Sequence, residues 1–441
     1  MIIPTFVQKP ENALSACGLN NKYFTEHDMK GSFSRRFRKL LGFQRSRLVN
    51  AGLLSFYPSV FSLNLYMVST LQTNLEKIGV AVIGTGFGQK VHIPGLQAHP
   101  QTEVVAVYHR DINKAKAIAQ SQQIPHAYDT IADIVKLPTV QAVTIATPPF
   151  LHYEMAKIVL QAGKHLLLEK PTALNAAEAK ELYQLAQQKG ITATVDFEFR
   201  FVPGWQRFSQ LLSAGYVGNK RLIRIDWLGS SRADASRPWN WYSSQDKGGG
   251  ALGSLGSHAF DYIYWLFGPV RRLSAHLSTA IPTRIDPASG ESKPVNTDDT
   301  CLLTLELADG TPCQLTISAV VHAPRTHWVE VYGDRGTLVL GSENQKDYIH
   351  GFRVWGSQPG KALTEIEIPA HLMFSQNHAD GRISAFMRVL DQWVQGINHQ
   401  QQIVPSLREG VYSQLLMDLS HESHKTASWV DVPSLESFID N

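Results

Sequence analysis

The chain reads as an α/β protein with a doubly wound parallel sheet first and an α+β domain, built on a large open and mostly antiparallel sheet, second. Three observations predict this. Short, continuously apolar runs alternate with helix-length amphipathic segments from Ile78 to about Thr194, the signature of parallel strands buried on both faces. The first run ends in the glycine loop Gly84-Thr85-Gly86-Phe87-Gly88. Beyond Thr194 the rhythm changes to longer strands of alternating polarity, joined by turn sequences.

The individual elements follow from their residues. Ile78-Gly79-Val80-Ala81-Val82-Ile83 is a doubly buried strand running into glycines, and Val104 to Tyr108 is a second. Val91 to Ala98 can form a helix between them, and Asp111 caps a further helix with Ile112, Ala115, Ile118 and Ala119 on one face. The alternation continues through the strand Ala142 to Ala146, the helix Tyr153 to Ala162 closed by Gly163, and the strand Leu166 to Leu168. A helix from Ala176 to Lys189 comes next, with Asn175 and Glu178 at capping-box spacing and Gly190 past its end. Right-handed crossovers make such a sheet doubly wound, the Rossmann arrangement, with ligands at the carboxyl ends of its strands.

In the second domain the expected strands are Leu222 to Leu228, Thr300 to Leu307, Gln314 to Val320 and Trp328 to Tyr332. Turns at Asp309-Gly310 and from Asp334 to Gly336 would join antiparallel neighbours. Helices at Gly253 to Phe267, Ile383 to Gly396 and Arg408 to Ser423 are expected to cover one face, leaving the other free to pair with a second subunit.

A chain of 441 residues exceeds the ~250–300 at which a single core stops growing. The expected domains are residues 73–195 for the dinucleotide and 196–441 for substrate and oligomerisation, after a leader of residues 1–72. The leader has a basic stretch, Arg35-Arg36-Phe37-Arg38-Lys39, and an apolar one, Ala51 to Val68, interrupted by Pro58, Asn64 and several serines. A membrane helix needs ~20 apolar residues without such breaks, and the stretch lies too far in for a secretory signal. The segment reads as disordered or not native, with Met67 a candidate working start; a targeting or amphipathic surface segment is the alternative.

Composition is that of a globular protein, 43% hydrophobic and 18% charged. The net charge of +3 comes with no nucleic-acid-binding motif, so neither nucleic acid nor membrane is an expected partner. Cys17, Cys301 and Cys313 have no zinc spacing and form no disulfide framework. No metal is expected, and a reducing cytoplasm fits.

The chemistry starts from Lys170, in Glu169-Lys170-Pro171 at the mouth of the run Leu166-Leu167-Leu168. In the glycine loop, Gly84 permits the tight turn and Gly86 lets backbone approach a pyrophosphate, whose charge the helix start favours. The third position of the fingerprint is Gln89, with Gly88 one place early. Where dinucleotide folds usually carry a ribose-binding acid, this chain has His109-Arg110. A guanidinium suits a 2′-phosphate, so NADP(H) is favoured over NAD(H), with Asp111 as the contrary sign; an ordinary solvated arginine is the plain alternative.

These residues also carry a resemblance. Gly84-Thr85-Gly86-Phe87-Gly88, Ala146-Thr147-Pro148-Pro149 followed by His152, Glu169-Lys170-Pro171, Arg200-Phe201, and Gly248-Gly249-Gly250-Ala251 with Ser257-His258 occur in an order that resembles the Gfo/Idh/MocA family (glucose–fructose oxidoreductase, inositol dehydrogenase and their relatives). The resemblance runs from about Lys77 to the C-terminus. It implies NAD(P)-dependent oxidation or reduction of a sugar, cyclitol or related polyhydroxylated compound by a homodimer or homotetramer. It further implies that Lys170 contacts nicotinamide ribose and substrate, that Pro171 follows a cis peptide bond, and that His258 transfers the proton. Thr147, Pro148 and His152 would line the cofactor site together with Phe87, Glu169 and Pro171.

Those roles make physical sense, because reduction of a carbonyl builds negative charge on oxygen and needs a cation and a proton donor within reach. The plain alternatives are a surface lysine at position 170 and, at 258, a helix histidine satisfied by Asp261. Many relatives place an aspartate one turn before the histidine; here it is Ser254. His258 should then be less basic, unless Asp261 substitutes. Either the chemistry favours reduction, or turnover is reduced or absent, as in dinucleotide-binding regulators of the same fold. Asp196, Glu198, Arg200, Arg237, Trp239, Asn240 and Trp241 are the candidates for the substrate side.

Overall fold

The computed structural model describes residues 76–344 and 349–440; the expected leader, with Cys17, lies outside them. Strands β1 (Ile78–Ile83), β2 (Thr102–Tyr108), β3 (His126–Tyr128), β4 (Ala142–Ile145), β5 (His165–Leu168) and β6 (Ala193–Val195) form a six-stranded sheet in the order β3-β2-β1-β4-β5-β6. Every pairing in it is parallel. The order reverses between β1 and β4, which opens a crevice at their carboxyl ends.

Helices α1 (Ile93–Ala98), α2 (Ile112–Gln122), α3 (Ile131–Ile134), α4 (His152–Gln161) and α5 (Ala176–Gln188) connect these strands, and α6 (Pro203–Ser213) follows the last of them. The two cap predictions can be read in atomic terms. Asp111 accepts from the backbone N–H groups of Asn113 and Lys114, and Asn175 accepts from that of Glu178. Glu178 reaches back to the N–H of Leu174, one residue beyond the usual box.

A second sheet of nine strands follows. It contains β7 (Lys220–Leu228), β8 (Val270–Ser278), β11 (Thr300–Leu307), β12 (Pro312–Ser318), β13 (His327–Gly333), β14 (Thr337–Ser342), β15 (Arg353–Ser357), β16 (Thr364–Ile366) and β17 (Val430–Asp431), while β9 (Thr283–Ile285) and β10 (Ser292–Pro294) form a separate hairpin. The order is β16-β15-β14-β13-β7-β12-β11-β8-β17, antiparallel except where β7 lies parallel to β12. Alternate residues such as Ile223, Ile225, Leu303, Leu305, Leu315, Ile317, Val329 and Val331 face a core closed by Phe260, Tyr262 and Ile263 of α7 (Ser257–Phe267) and by Val411, Tyr412 and Leu416 of α9 (Leu407–Thr426). On the opposite face Leu222 and Leu302 remain exposed.

One helix sits elsewhere than its pattern suggested. Helix α8 (Gly381–His399) packs Ile383, Phe386, Val389, Leu390, Trp393 and Val394 against Val80, Val82, Ile93, Leu96 and Leu167 of the parallel-sheet unit rather than against the second sheet. An apolar stripe states that a face is buried and not what buries it. Fully buried Trp393 therefore belongs to the nucleotide sheet's core, and Trp393→Ala is expected to lower stability by about 3–5 kcal/mol, read from the denaturant midpoint. A shift below 1 kcal/mol would contradict this packing.

Candidate active site

The glycine loop leaves β1 with Gly84 at φ +106°, where a Cβ would lie 2.4 Å from the Ala146 carbonyl oxygen. Any other residue would be strained there and would collide with backbone. Nothing lies within 4 Å of where a Cβ on Gly86 would stand, so the loop's outer surface is open to a diphosphate. Gly88 begins a π-helical turn, Gly88–His92, that runs into α1. A Cβ on Gly88 would lie 3.2 Å from Val82 Cγ1, so it performs, one place early, the close helix–strand packing usually left to the third glycine of the fingerprint.

At the end of β2, His109 Nδ1 accepts from the Asp111 N–H at 2.9 Å, and Arg110 is exposed. The Asp111 carboxylate is committed to capping α2.

At the crevice, a cavity of about 190 Å³ is lined by Phe87, Thr147, Glu169, Lys170, Pro171, Asp196, Glu198, Trp241, Ser254 and His258, among others. It joins the ends of β4, β5 and β6 to the start of α7. Lys170 precedes a cis peptide bond to Pro171 and donates from Nζ to the carbonyl oxygen of Ser254 at 3.3 Å. Ser254 lies in a second π-helical turn, Leu252–Gly256, which continues as α7 and carries His258 one turn on. Irregular helical turns thus flank the cavity on both sides.

His258 is 6% exposed and surrounded by Phe199, Phe197 and Trp227, and its Nδ1 has no hydrogen-bond partner. Neither expected orienting group reaches it. The Ser254 hydroxyl is taken by the Gly250 carbonyl and the Tyr242 hydroxyl, at 2.9 and 3.0 Å. Asp261 forms a bidentate pair with Arg200, Nη2 to Oδ1 at 2.6 Å and Nε to Oδ2 at 2.9 Å. Burial holds the His258 imidazole well below its ordinary range, helped by the charges of Lys170 and His327. The ring is thus kept in its neutral form, with one nitrogen free as an acceptor and its basicity reduced.

The other predicted residues divide into two groups. Phe87, Thr147, Glu169, Lys170, Pro171, Ser254 and His258 meet at the cavity; Arg200, Trp239 and Asn240 do not line it. Buried Arg200 is held by Asp261, Trp239 donates to the Pro294 carbonyl with Lys293 over its ring, and Asn240 caps the turn Trp241–Ser243. Pro148 leads into the turn Pro149–Leu151 ahead of α4. His152 bridges from below, its ring nitrogens each 2.8 Å from a carbonyl oxygen, of Pro171 and of Thr147. Burial pulls its pKa down against those carbonyls, so the neutral ring donates to one of them at a time. No motif or spacing marks His92, which stacks on Phe386 and meets Glu169 at 3.2 Å.

A phosphate-ready glycine loop, with a lysine and a neutral imidazole sharing a cavity at the same sheet edge, defines a dinucleotide-binding oxidoreductase site. Residues 78–197 match the NAD-binding Rossmann domain of an oxidoreductase family and residues 210–432 its C-terminal alpha/beta domain. The chain belongs to that family, Gfo/Idh/MocA.

An uncharacterised oxidoreductase of Synechocystis sp. is 52% identical over 83% of this chain and 99% of its own length. Levoglucosan dehydrogenase of Pseudarthrobacter phenanthrenivorans is 26% identical over 82% of this chain and its whole length. Solved with NADH and L-sorbose, a levoglucosan dehydrogenase has a TM-score of 0.75 at 23% identity, covering 82% of this chain and all of its own. The super-repressor mutant of Gal80p from Saccharomyces cerevisiae shares the fold at TM-score 0.69 and 19% identity, over 81% of this chain and 98% of its own.

The lowered pKa of His258 fixes the sign of a pH effect. The ring remains unprotonated as pH falls through the ordinary imidazole value of ~6.5, so kcat/KM for alcohol oxidation should stay level there and fall only at lower pH. Half-loss centred near 6.5 would show that the ring titrates normally.

Proposed function

We propose that this protein oxidises and reduces a hydroxyl/carbonyl pair on a sugar, cyclitol or related polyhydroxylated molecule, with a nicotinamide dinucleotide as hydride partner. The observation that carries the proposal is the placement of Lys170 and His258 in one cavity beside the glycine loop. The loop fits the cofactor because Gly84 turns where no other residue can and the space before Gly86 is open; Thr147 and Pro171 would flank the nicotinamide end. When bound, the dinucleotide takes or gives the hydride. The Lys170 ammonium stabilises the charge that develops on the substrate oxygen, and neutral His258 accepts the hydroxyl proton during oxidation. Phe197, Phe199 and Trp227 keep water from the imidazole, which strengthens each of these electrostatic effects.

NADP(H) is the favoured cofactor, since Arg110 is exposed at the end of β2 and the neighbouring Asp111 is occupied by α2. NAD(H) is the alternative, and the levoglucosan dehydrogenase solved with NADH speaks for it. The uncovered face of the nine-stranded sheet supports a homodimer or homotetramer, which the mass in solution reports. The reducing cytoplasm suits buried, unpaired Cys301 and Cys313, and among the described residues no helix is long and apolar enough to cross a membrane. The rival reading is a dinucleotide-binding regulator without turnover. It draws on the lack, among the described residues, of a carboxylate partner for His258 and on the shared fold of Gal80p.

A panel of polyols, aldoses and diketones, followed at the nicotinamide absorbance with both cofactors, separates the two readings. Turnover is expected, with Lys170→Met slower by on the order of 10²–10⁴-fold. Tight dinucleotide binding with no turnover on any compound would favour the regulator. In the same assay Arg110→Ala should weaken NADPH by about tenfold or more while leaving NADH unchanged. Unchanged NADPH affinity would remove Arg110 from the cofactor site.

A further inference from the structure

Asp196 follows β6 directly and lines the same cavity as Lys170 and His258. It is 1% exposed, and among the described residues no N–H or O–H donor reaches either of its carboxyl oxygens; Glu169 is the neighbour with which it can share a proton. Its surroundings are acidic. One oxygen lies 3.9 Å from His92 Nε2, and one atom from each of His92, Glu169 and Asp196 falls within 4.8 Å of the others. Glu198 follows two residues on and lines the same cavity.

Two buried carboxyl groups this close oppose one another's ionisation, because their repulsion adds to the desolvation of each. Glu169 is the one that keeps its charge. His92 meets it at 3.2 Å and Lys170 is its chain neighbour, and together with Asp196 these contacts outweigh burial and hold it below the usual carboxylate range. Burial, then the charges of Glu169 and Glu198, push Asp196 well above that range. A metal ion is the other occupant that such a trio could suit. A metal-bound histidine, however, normally anchors its second nitrogen on a carboxylate, carbonyl or water, and His92 Nδ1 is buried without a partner.

We propose that Asp196 is a substrate-binding residue that works as a neutral carboxylic acid, donating a hydrogen bond to the substrate oxygen that Lys170 also faces. The inference rests on the oxidoreductase reading and adds a second donor to it. A protonated carboxyl group in a dry site donates without bringing a negative charge to an oxygen that is becoming an alkoxide. It also supplies, in the direction of reduction, a proton far more acidic than the single N–H of a neutral His258.

The first test needs no substrate. Full-length protein labelled with ¹³C-aspartate should show, at neutral pH, an isotope-shifted infrared band of a protonated carboxyl group that Asp196→Asn removes. No such band, or one that survives the substitution, would overturn the proposal, as would a stoichiometric metal in elemental analysis of the purified protein. This result stands whether or not the panel finds turnover.

On any panel compound that does turn over, Asp196→Asn keeps a neutral donor and should stay within about tenfold of wild-type kcat/KM. Asp196→Leu, with a similar shape and no donor, should lose on the order of 10- to 100-fold. NADPH titration of both variants reports whether the site is intact. Equal losses in the two variants would mean that the charge is what matters, and no loss in Asp196→Leu would mean that the residue does not touch the substrate; either overturns the assignment.

Discussion

A single ammonium group, Lys170 Nζ, is held by both halves of the protein. Its backbone belongs to the end of the parallel sheet, and its side chain ends on the Ser254 carbonyl, in the turn that launches the helix of the second domain. That contact joins the end of the parallel sheet to the turn Leu252–Gly256, which runs on into the helix carrying His258. A hydride-transfer site must be dry enough for electrostatics to be strong and must still hold its charges in place. In this cavity a cation is tied to a neutral carbonyl and the imidazole is surrounded by aromatic rings, as the proposed chemistry requires.

The charges around this junction form one system. Glu169 carries the negative charge, flanked by Lys170 and His92; Asp196 is pushed towards its neutral form by Glu169; His258 is pushed towards its neutral form by burial and by Lys170. Arg200 and Asp261 satisfy one another nearby, which keeps the guanidinium out of the cavity lining and the carboxylate off His258. The cavity therefore brings together the Lys170 cation, the Glu169 carboxylate and two groups, Asp196 and His258, that are each pushed towards their neutral form.

Much of this was legible in the residues, since local signals are short-range. The strand Ile78–Ile83, the caps at Asp111 and Asn175, the cis peptide before Pro171 and the meeting of Lys170 with His258 needed only apolar runs, capping spacing and ordered motifs. What could not be read depends on long-range packing. Arg200 looked like a ligand group because an arginine near a strand end gives no hint of its partner, Asp261, which arrives from a helix of the second domain. The stripe of α8 gave no address, and it covers the nucleotide sheet. Asp196 was legible as a substrate-side candidate, but His92 drew no role, and the proximity of the two across the sheet edge could not be read from the residues.

The most direct measurement is a crystal structure of the protein soaked with NADPH or NADH. The pyrophosphate should lie over Gly84 and Gly86, and the nicotinamide should enter the cavity with Lys170 and His258 on the same side of its ring. A dinucleotide bound elsewhere, or a nicotinamide that stays outside while the cavity remains closed, would contradict the account.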